Sequence, residues 1–289
     1  MNKNKPLKIP DRVIDHLINL ALKEDIGTGD ITTEILVPAA LKTKAIILAK
    51  AQGVLAGIEI ARRVFLKLDP GIKFKTLIKD GSTLKPGDII AELHGNARAI
   101  LTGERTALNF LQRLSGIATH TSQFVARVRE LPVRLIDTRK TTPGYRLLEK
   151  YAVRMGGGQN HRLNLADGIL IKDNHIALLR ARGLTLAEIV KKARQKAPKG
   201  MKVEVETTSL DEVREAVEAG ADIILFDNMS PATMRRALKL LPPGVMSEAS
   251  GGVTLENVRA IAETGVTFIS SGALTHSSRA LDISLELQP

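Results

Sequence analysis

A chain of 289 residues has room for one large domain or two ordinary ones, and 44% apolar against 25% charged residues suits a globular protein with a sizeable core. The absence of cysteine excludes a disulfide framework, a thiolate nucleophile and a cysteine-based zinc site, and no apolar run approaches the ~18 residues of a membrane span. A net charge of +11 fits nucleic acid or an anionic small substrate, but aromatics at 3%, no tryptophan and dispersed basic residues argue against a base-stacking surface. The opening MNKNKPLKIP is basic, yet no apolar segment follows it, and it is too short and proline-broken for a transit peptide, so the cytoplasm is the expected compartment.

Residues 11–24 carry Val13, Ile14, Leu17, Ile18, Ala21 and Leu22 at helical spacing. Gly27 and Gly29 then punctuate a loop, DIGTGDITTE. Strands are expected at 44–50, near Val54, at 72–78 and at 88–94, with a helix over 58–68 and a turn-rich DGSTLKPG between the last two strands. This half mixes sheet and helix without steady alternation and reads as α+β. A long helix is expected from Ala97 to Glu130, broken or bent at Gly116, and the domain change falls there.

From Val133 the pattern becomes regular. Strands at 133–137, 168–172, 202–206, 222–227, 244–250 and 267–273 alternate with helices at 143–154, 185–196, 209–219, 231–240 and 254–264. Such alternation predicts parallel β/α units, an α/β barrel short of the full eight strands; an open doubly wound sheet is the alternative, but no GxGxxG follows its first strand.

Barrel enzymes place their chemistry at the carboxyl ends of the strands, and here polar residues fall repeatedly at the end of each apolar run. The stretch DTRKTTPGYRLLEKYAVRMGGGQNHRLNLADGILIKDNH, Asp137 to His175, aims Arg139, Lys140, His161, Arg162, Lys172 and His175 at one space around the triple glycine Gly156 to Gly158. Arginine offers a planar fork for carboxylate and lysine a compact charge for phosphate, so a substrate with several negative charges is expected. The glycines permit close backbone approach and shape the turn that presents His161. Glu206 and Asp227 at successive strand ends hold Mg²⁺, accept ribose hydroxyls or stabilise a developing positive charge, or else simply balance the cations. Ser250-Gly251-Gly252 opens the helix TLENVRAIAE and Gly272 follows the next strand, a pattern that cradles phosphate.

The stretches ERTALNFLQRLSGIAT (104–119), DTRKTTPGYRLLEKYAVRMGGGQNHR (137–162), ILIKDNHI (169–176), VEVE (203–206), LFDNM (225–229) and EASGG (248–252), with EDIGTGDITTE (24–34) and SSGALTHS (270–277), resemble the quinolinate phosphoribosyltransferase family. The resemblance implies an α/β fold, with an N-terminal α/β sandwich over 1–115, rejoined by 276–289, and an incomplete barrel of roughly seven strands over 116–275. It implies transfer of phosphoribose from 5-phosphoribosyl 1-pyrophosphate to quinolinate, giving nicotinate mononucleotide, pyrophosphate and carbon dioxide with Mg²⁺. By the same resemblance Arg139, His161, Arg162 and Lys172 grip the quinolinate carboxylates, and Arg105 is lent by the partner subunit of a homodimer or larger assembly of dimers. Lys140 sits near the pyrophosphate, Glu206 and Asp227 meet the ribose and the metal region, and Ser250, Gly251 and Gly272 line the 5-phosphate site. Glu206, Asp227, Lys140 and Lys172 carry the catalytic roles. Tyr145, Met155 and Thr207-Thr208 depart from the family pattern, the last pair beside Glu206. Three other functions fit parts of the pattern: a non-decarboxylating relative using nicotinate, a Schiff-base aldolase using Lys172 or Lys140, and a basic nucleic-acid binder.

Overall fold

A computed structural model describes residues 7–288; the first six residues, read above as no targeting segment, and residue 289 lie outside the described residues. The strands in chain order are β1 (Lys42–Ala49), β2 (Gly53–Val54), β3 (Lys73–Thr76), β4 (Thr83–Leu84), β5 (Ile89–Asn96), β6 (Arg134–Ile136), β7 (Ile169–Ile171), β8 (Val203–Thr207), β9 (Ile223–Asp227), β10 (Met246–Ser250), β11 (Phe268–Ser270) and β12 (Ile283–Gln288). The helices are α1 (Asp11–Ile26), α2 (Ile31–Leu36), α3 (Ile58–Leu68), α4 (Ala97–Val128), α5 (Arg146–Met155), α6 (Asp173–Arg180), α7 (Leu186–Lys196), α8 (Leu210–Glu218), α9 (Pro231–Leu238), α10 (Val258–Ala262) and α11 (Ala273–His276). The chain divides into two compact units, one of residues through Ser122, Leu147–Gly157 and Ser278 onward, the other of Gln123–Arg146 and Gly158–Ser277. By this division the first unit ends inside α4 and takes in most of α5.

The first unit holds an antiparallel sheet in the order β12-β1-β5-β3. Along β1, Ala45, Ile47 and Ala49 are buried while the residues between them are not, the alternation of a sheet with one covered face. Strands β4 and β12 and helices α2, α6 and α11 go beyond the sequence reading. Strand β4 is two residues inside a turn-rich stretch, and α2 is a single six-residue run after the glycine loop, capped by Asp30 accepting from the Thr33 N–H at 3.1 Å. Gly116 does not break α4, which runs unbroken through it. A β-carbon there would overlap the carbonyl oxygen of Arg279, so close backbone approach, not a bend, is what the glycine serves.

The second unit is a parallel sheet in the order β6-β11-β10-β9-β8-β7. All six expected strands form, five of them trimmed and β8 shifted one residue later. Gln159 adds a one-residue parallel bridge to Ile136 on the other edge of β6. It acts as a rudimentary seventh strand, and among the described residues no ladder joins it to β7, so the barrel is incomplete on that side. The first four residues of β9, Ile-Ile-Leu-Phe, are all buried, as a strand covered on both faces requires. Among the described residues no helix is long and apolar enough to cross a membrane.

Candidate active site

Every strand of the second unit ends at one cavity of about 530 Å³. Strand β6 leads into Asp137, which is fully buried. Its carboxylate accepts the backbone N–H of His161 at 2.8 Å and the side-chain amide of Asn160 at 2.7 Å. Its own N–H donates to the carbonyl of Gln159. Asp137 thus ties the segment after the triple glycine to the end of β6 and fixes where His161 and Arg162 emerge. Of the three glycines, Gly157 takes a positive φ of 88°, while Gly156 packs where a β-carbon would overlap the carbonyl of Ala118.

Arg139, Lys140, His161, Arg162 and Lys172 all line the cavity. His175 does not belong with them: its Nδ1 accepts the backbone N–H of Lys172 at 3.0 Å, and the exposed ring caps the start of α6. Arg162 donates from Nη1 to the Gly168 carbonyl at 3.0 Å. Burial, then the like charge of Arg139, pushes its guanidinium pKa down, though arginine stays protonated at any ordinary pH. The Arg139 Nε is buried without a hydrogen-bond partner. Two guanidiniums in mutual repulsion, one with an unmet donor, form a wall that a bound carboxylate would relieve.

Glu206, the penultimate residue of β8, and Asp227, the last of β9, also line the cavity. The Glu206 pKa is raised by burial, then by the negative charges of Asp227 and Asp173, and is held back by Lys172 and the Asp173 backbone N–H. Glu206 therefore lies in the negative field of two neighbouring carboxylates. The departure from the family pattern at Thr207-Thr208 is absorbed locally. Thr207 is buried and donates to the Leu225 carbonyl at 3.1 Å, and Thr208 donates from N and Oγ1 to Glu212 at 2.8 and 3.0 Å.

Ser250, Gly251 and Gly272 line the same cavity. The Ser-Gly-Gly segment does not open a helix: α10 begins only at Val258 and has five residues. Gly251 and Gly252 have φ of 88° and 58°, so this is a glycine turn whose backbone N–H groups, rather than a helix start, are available to an anion. Asn228 holds the turn. Its backbone N–H donates to the Ser250 carbonyl at 2.9 Å and its Nδ2 to Asp227 at 3.0 Å. Among the described residues it is the one non-glycine with positive φ, 52°, a conformation asparagine tolerates. At Gly272 a β-carbon would sit 2.8 Å from Lys140 Cδ and 2.9 Å from His276 Nε2. The glycine therefore lets both side chains reach the cavity wall.

Three further candidates lie at or near these strand ends and receive no role in the sequence reading. Asn228 is one and His276, which lines the cavity, is another. The third is a buried carboxyl pair, Glu204 and Glu248, 4% and 3% exposed. His161 Nε2 lies 3.1 Å from Glu204 and 3.5 Å from Glu248. Burial is the leading cause that raises both carboxyl pKa values, and the negative charge of Glu204 raises that of Glu248 further. These three residues bring metal-ligating atoms within 4.8 Å of one another. Arg105 is exposed on α4 of the first unit, beside a recess of about 340 Å³ that Asp25, Asp30 and Ile31 also line.

Residues 30–115 match the family described as quinolinate phosphoribosyl transferase, N-terminal domain, and residues 117–286 its C-terminal domain. The chain is 49% identical over 271 residues to the probable nicotinate-nucleotide pyrophosphorylase (carboxylating) of Bacillus subtilis strain 168, covering 94% of this chain and 92% of that one. A second relative of the same description, from Synechocystis, is 45% identical, covering 95% of this chain and 92% of its own. The solved nicotinate-nucleotide pyrophosphorylase of Francisella tularensis superposes with a TM-score of 0.92 at 41% identity, covering 99% of this chain and 100% of that one. With both halves matched in order and the identity running the length of its relatives, the chain belongs to the quinolinate phosphoribosyltransferase family.

Proposed function

We propose that the chain transfers phosphoribose from 5-phosphoribosyl 1-pyrophosphate to quinolinate and decarboxylates the product, giving nicotinate mononucleotide, pyrophosphate and carbon dioxide in de novo NAD synthesis. The observation that carries this reading is the convergence of Arg139, Lys140, His161, Arg162 and Lys172 on one cavity that Glu206 and Asp227 also line. A base with two carboxylates uses that much positive charge; nicotinate, with one, leaves part of it unmatched. Arg139, Arg162, Lys172 and His161 hold and orient the two carboxylates. Lys140 attracts the pyrophosphate, and the glycine turns at 250–252 and 272 take the 5-phosphate.

When the bond from ribose C1 to the pyrophosphate oxygen breaks, its electron pair leaves with oxygen and the ribose gains oxocarbenium character. Glu206 stabilises that charge from the cavity wall, and the pyridine nitrogen then supplies the new bond to C1. The resulting pyridinium accepts the electron pair released as the 2-carboxylate leaves, and a proton replaces it at C2. Glu206 and Asp227 would hold Mg²⁺, their mutual repulsion being the kind a cation relieves. The ion, when bound, neutralises charge on the pyrophosphate.

A homodimer in which Arg105 completes the partner's site is part of the same reading. Arg105 is exposed, and the apolar side chains Ile31, Ile35 and Leu36 on α2 are exposed at 67%, 74% and 73%, which supports a covering surface there. The test is release of labelled carbon dioxide from the 2-carboxylate of quinolinate, with and without phosphoribosyl pyrophosphate and Mg²⁺. Release that needs the sugar donor is expected. Nucleotide formed from nicotinate without such release would discard the two-carboxylate clamp.

A further inference from the structure

The interior of a small parallel barrel is ordinarily filled by branched aliphatic side chains, yet here two glutamates occupy it. Glu204 projects from β8 and Glu248 from β10, with β9 between them in the sheet. Burying carboxyl groups costs free energy, and apolar residues of similar size are often as stable or more so. Stability therefore gives no reason for the pair, and its contacts suggest another. The pair touches His161 at Nε2, the nitrogen 3.1 Å from Glu204 and 3.5 Å from Glu248. Meanwhile Asp137 holds the His161 backbone N–H. The histidine is thus fixed from its main chain and from the far end of its ring, while it lines the cavity.

We propose that Glu248, acting with Glu204, is a positioning residue that fixes the ring orientation and tautomer of His161 for recognition of the pyridine dicarboxylate. A carboxylate on one ring nitrogen sets the tautomer and leaves the imidazole no freedom to flip. A ring free to rotate would lose that freedom on binding, and the loss falls on affinity for the base and not for the sugar donor. The inference rests on the reading of His161 as a quinolinate contact, and the experiment separates the two.

Glu248→Leu removes the carboxyl group at nearly constant volume and leaves Glu204 still paired with His161. Glu248→Gln keeps a donor and an acceptor at the same place. Steady-state kinetics with each substrate varied should show the Glu248→Leu variant with a KM for quinolinate raised about tenfold, the donor KM within about twofold, and Glu248→Gln lying between it and the parent. A purely structural role predicts instead a lowered Tm with both KM values moving together. Nitrogen-15 spectra of the labelled histidines report the ring directly, its signal assigned by its loss in His161→Ala. One tautomer is expected in the parent and in Glu248→Gln, and averaged shifts once both carboxyl groups are removed, in the double variant Glu204→Leu with Glu248→Leu. A folded Glu248→Leu protein with unchanged quinolinate KM would overturn the proposal, as would an averaged His161 signal already in the parent should that variant not fold. If His161→Ala itself leaves quinolinate KM unchanged, the underlying contact is what fails.

Discussion

Gly251→Ala tests how the glycine turn is held. Gly251 has φ of 88°, and left-handed backbone costs a residue with a β-carbon about 1–2 kcal/mol. The new β-carbon would also overlap the side-chain amide of Asn228, so that amide must swing away from Asp227, to which it donates at 3.0 Å. Loss of one such hydrogen bond to a charged group adds about 1.5 kcal/mol. The sum, about 2.5–3.5 kcal/mol, corresponds to a fall in Tm of roughly 5–14 °C for a unit near 150 residues. Because the displaced segment is the proposed phosphate cradle, kcat/KM for the sugar donor should fall about tenfold or more, while binding of quinolinate alone, followed by titration calorimetry, stays close to the parent. The double variant Gly251→Ala with Asn228→Ala removes the atoms that collide. It should therefore be less damaged than the two single effects added together. Unchanged Tm and donor kinetics in Gly251→Ala, or strict additivity in the double variant, would refute the reasoning.

Arg162→Ala removes one of the two guanidiniums of the cationic wall. Each charge-assisted hydrogen bond lost is worth about 1.5–3 kcal/mol, so quinolinate kcat/KM should drop about tenfold to a hundredfold with donor KM little changed in initial-rate assays. Glu206→Gln should abolish turnover and raise stability, measured by urea titration without substrate or Mg²⁺. The folded-state pKa of Glu206 lies above its ordinary value of 4.5, so the folded state binds more protons than the unfolded chain just above that value. Its ionisation therefore removes stability as pH rises through the folded pKa. The stabilisation by Gln should accordingly appear above pH 4.5 and fade in more acid solution. Arg105→Ala and Arg162→Ala, each weakly active alone, should recover about a quarter of parental sites when unfolded together and refolded, since half of randomly paired dimers carry one intact shared site. No recovery, with dimers formed, would exclude the shared arginine.

The architecture was legible where the sequence repeats a simple rule. Six short apolar runs, each closing on a polar residue, became six parallel strands, and the residues after them line one cavity. Punctuation was less legible. Gly116 looks like a helix break because glycine costs a helix interior about 1 kcal/mol, and only the approach of the Arg279 backbone explains why the helix continues. The Ser-Gly-Gly turn looks like a helix start because TLENVRAIAE is helix-like, whereas Asn257 accepts the Thr254 N–H at 2.8 Å and keeps the segment in turns until Val258. His175 sits among cations in sequence, and only its bond to the Lys172 N–H removes it from the cavity.

The buried carboxyl pair was in principle readable by the strands' own periodicity. Side chains two apart on a strand share a face. Once Glu206 is assigned to the cavity, Glu204 must lie on the same face one step deeper, and Ser250 places Glu248 in the same way. What the rule does not supply is the meaning of that depth. A carboxylate at a strand end meets solvent and substrate, while one two residues back is enclosed by neighbouring strands and must find a partner or a proton. The partner is His161, brought from the segment after the triple glycine by Asp137. That contact joins residues 43 positions apart. Local pattern can announce such a pair as buried, but its use depends on which loop the sheet delivers above it.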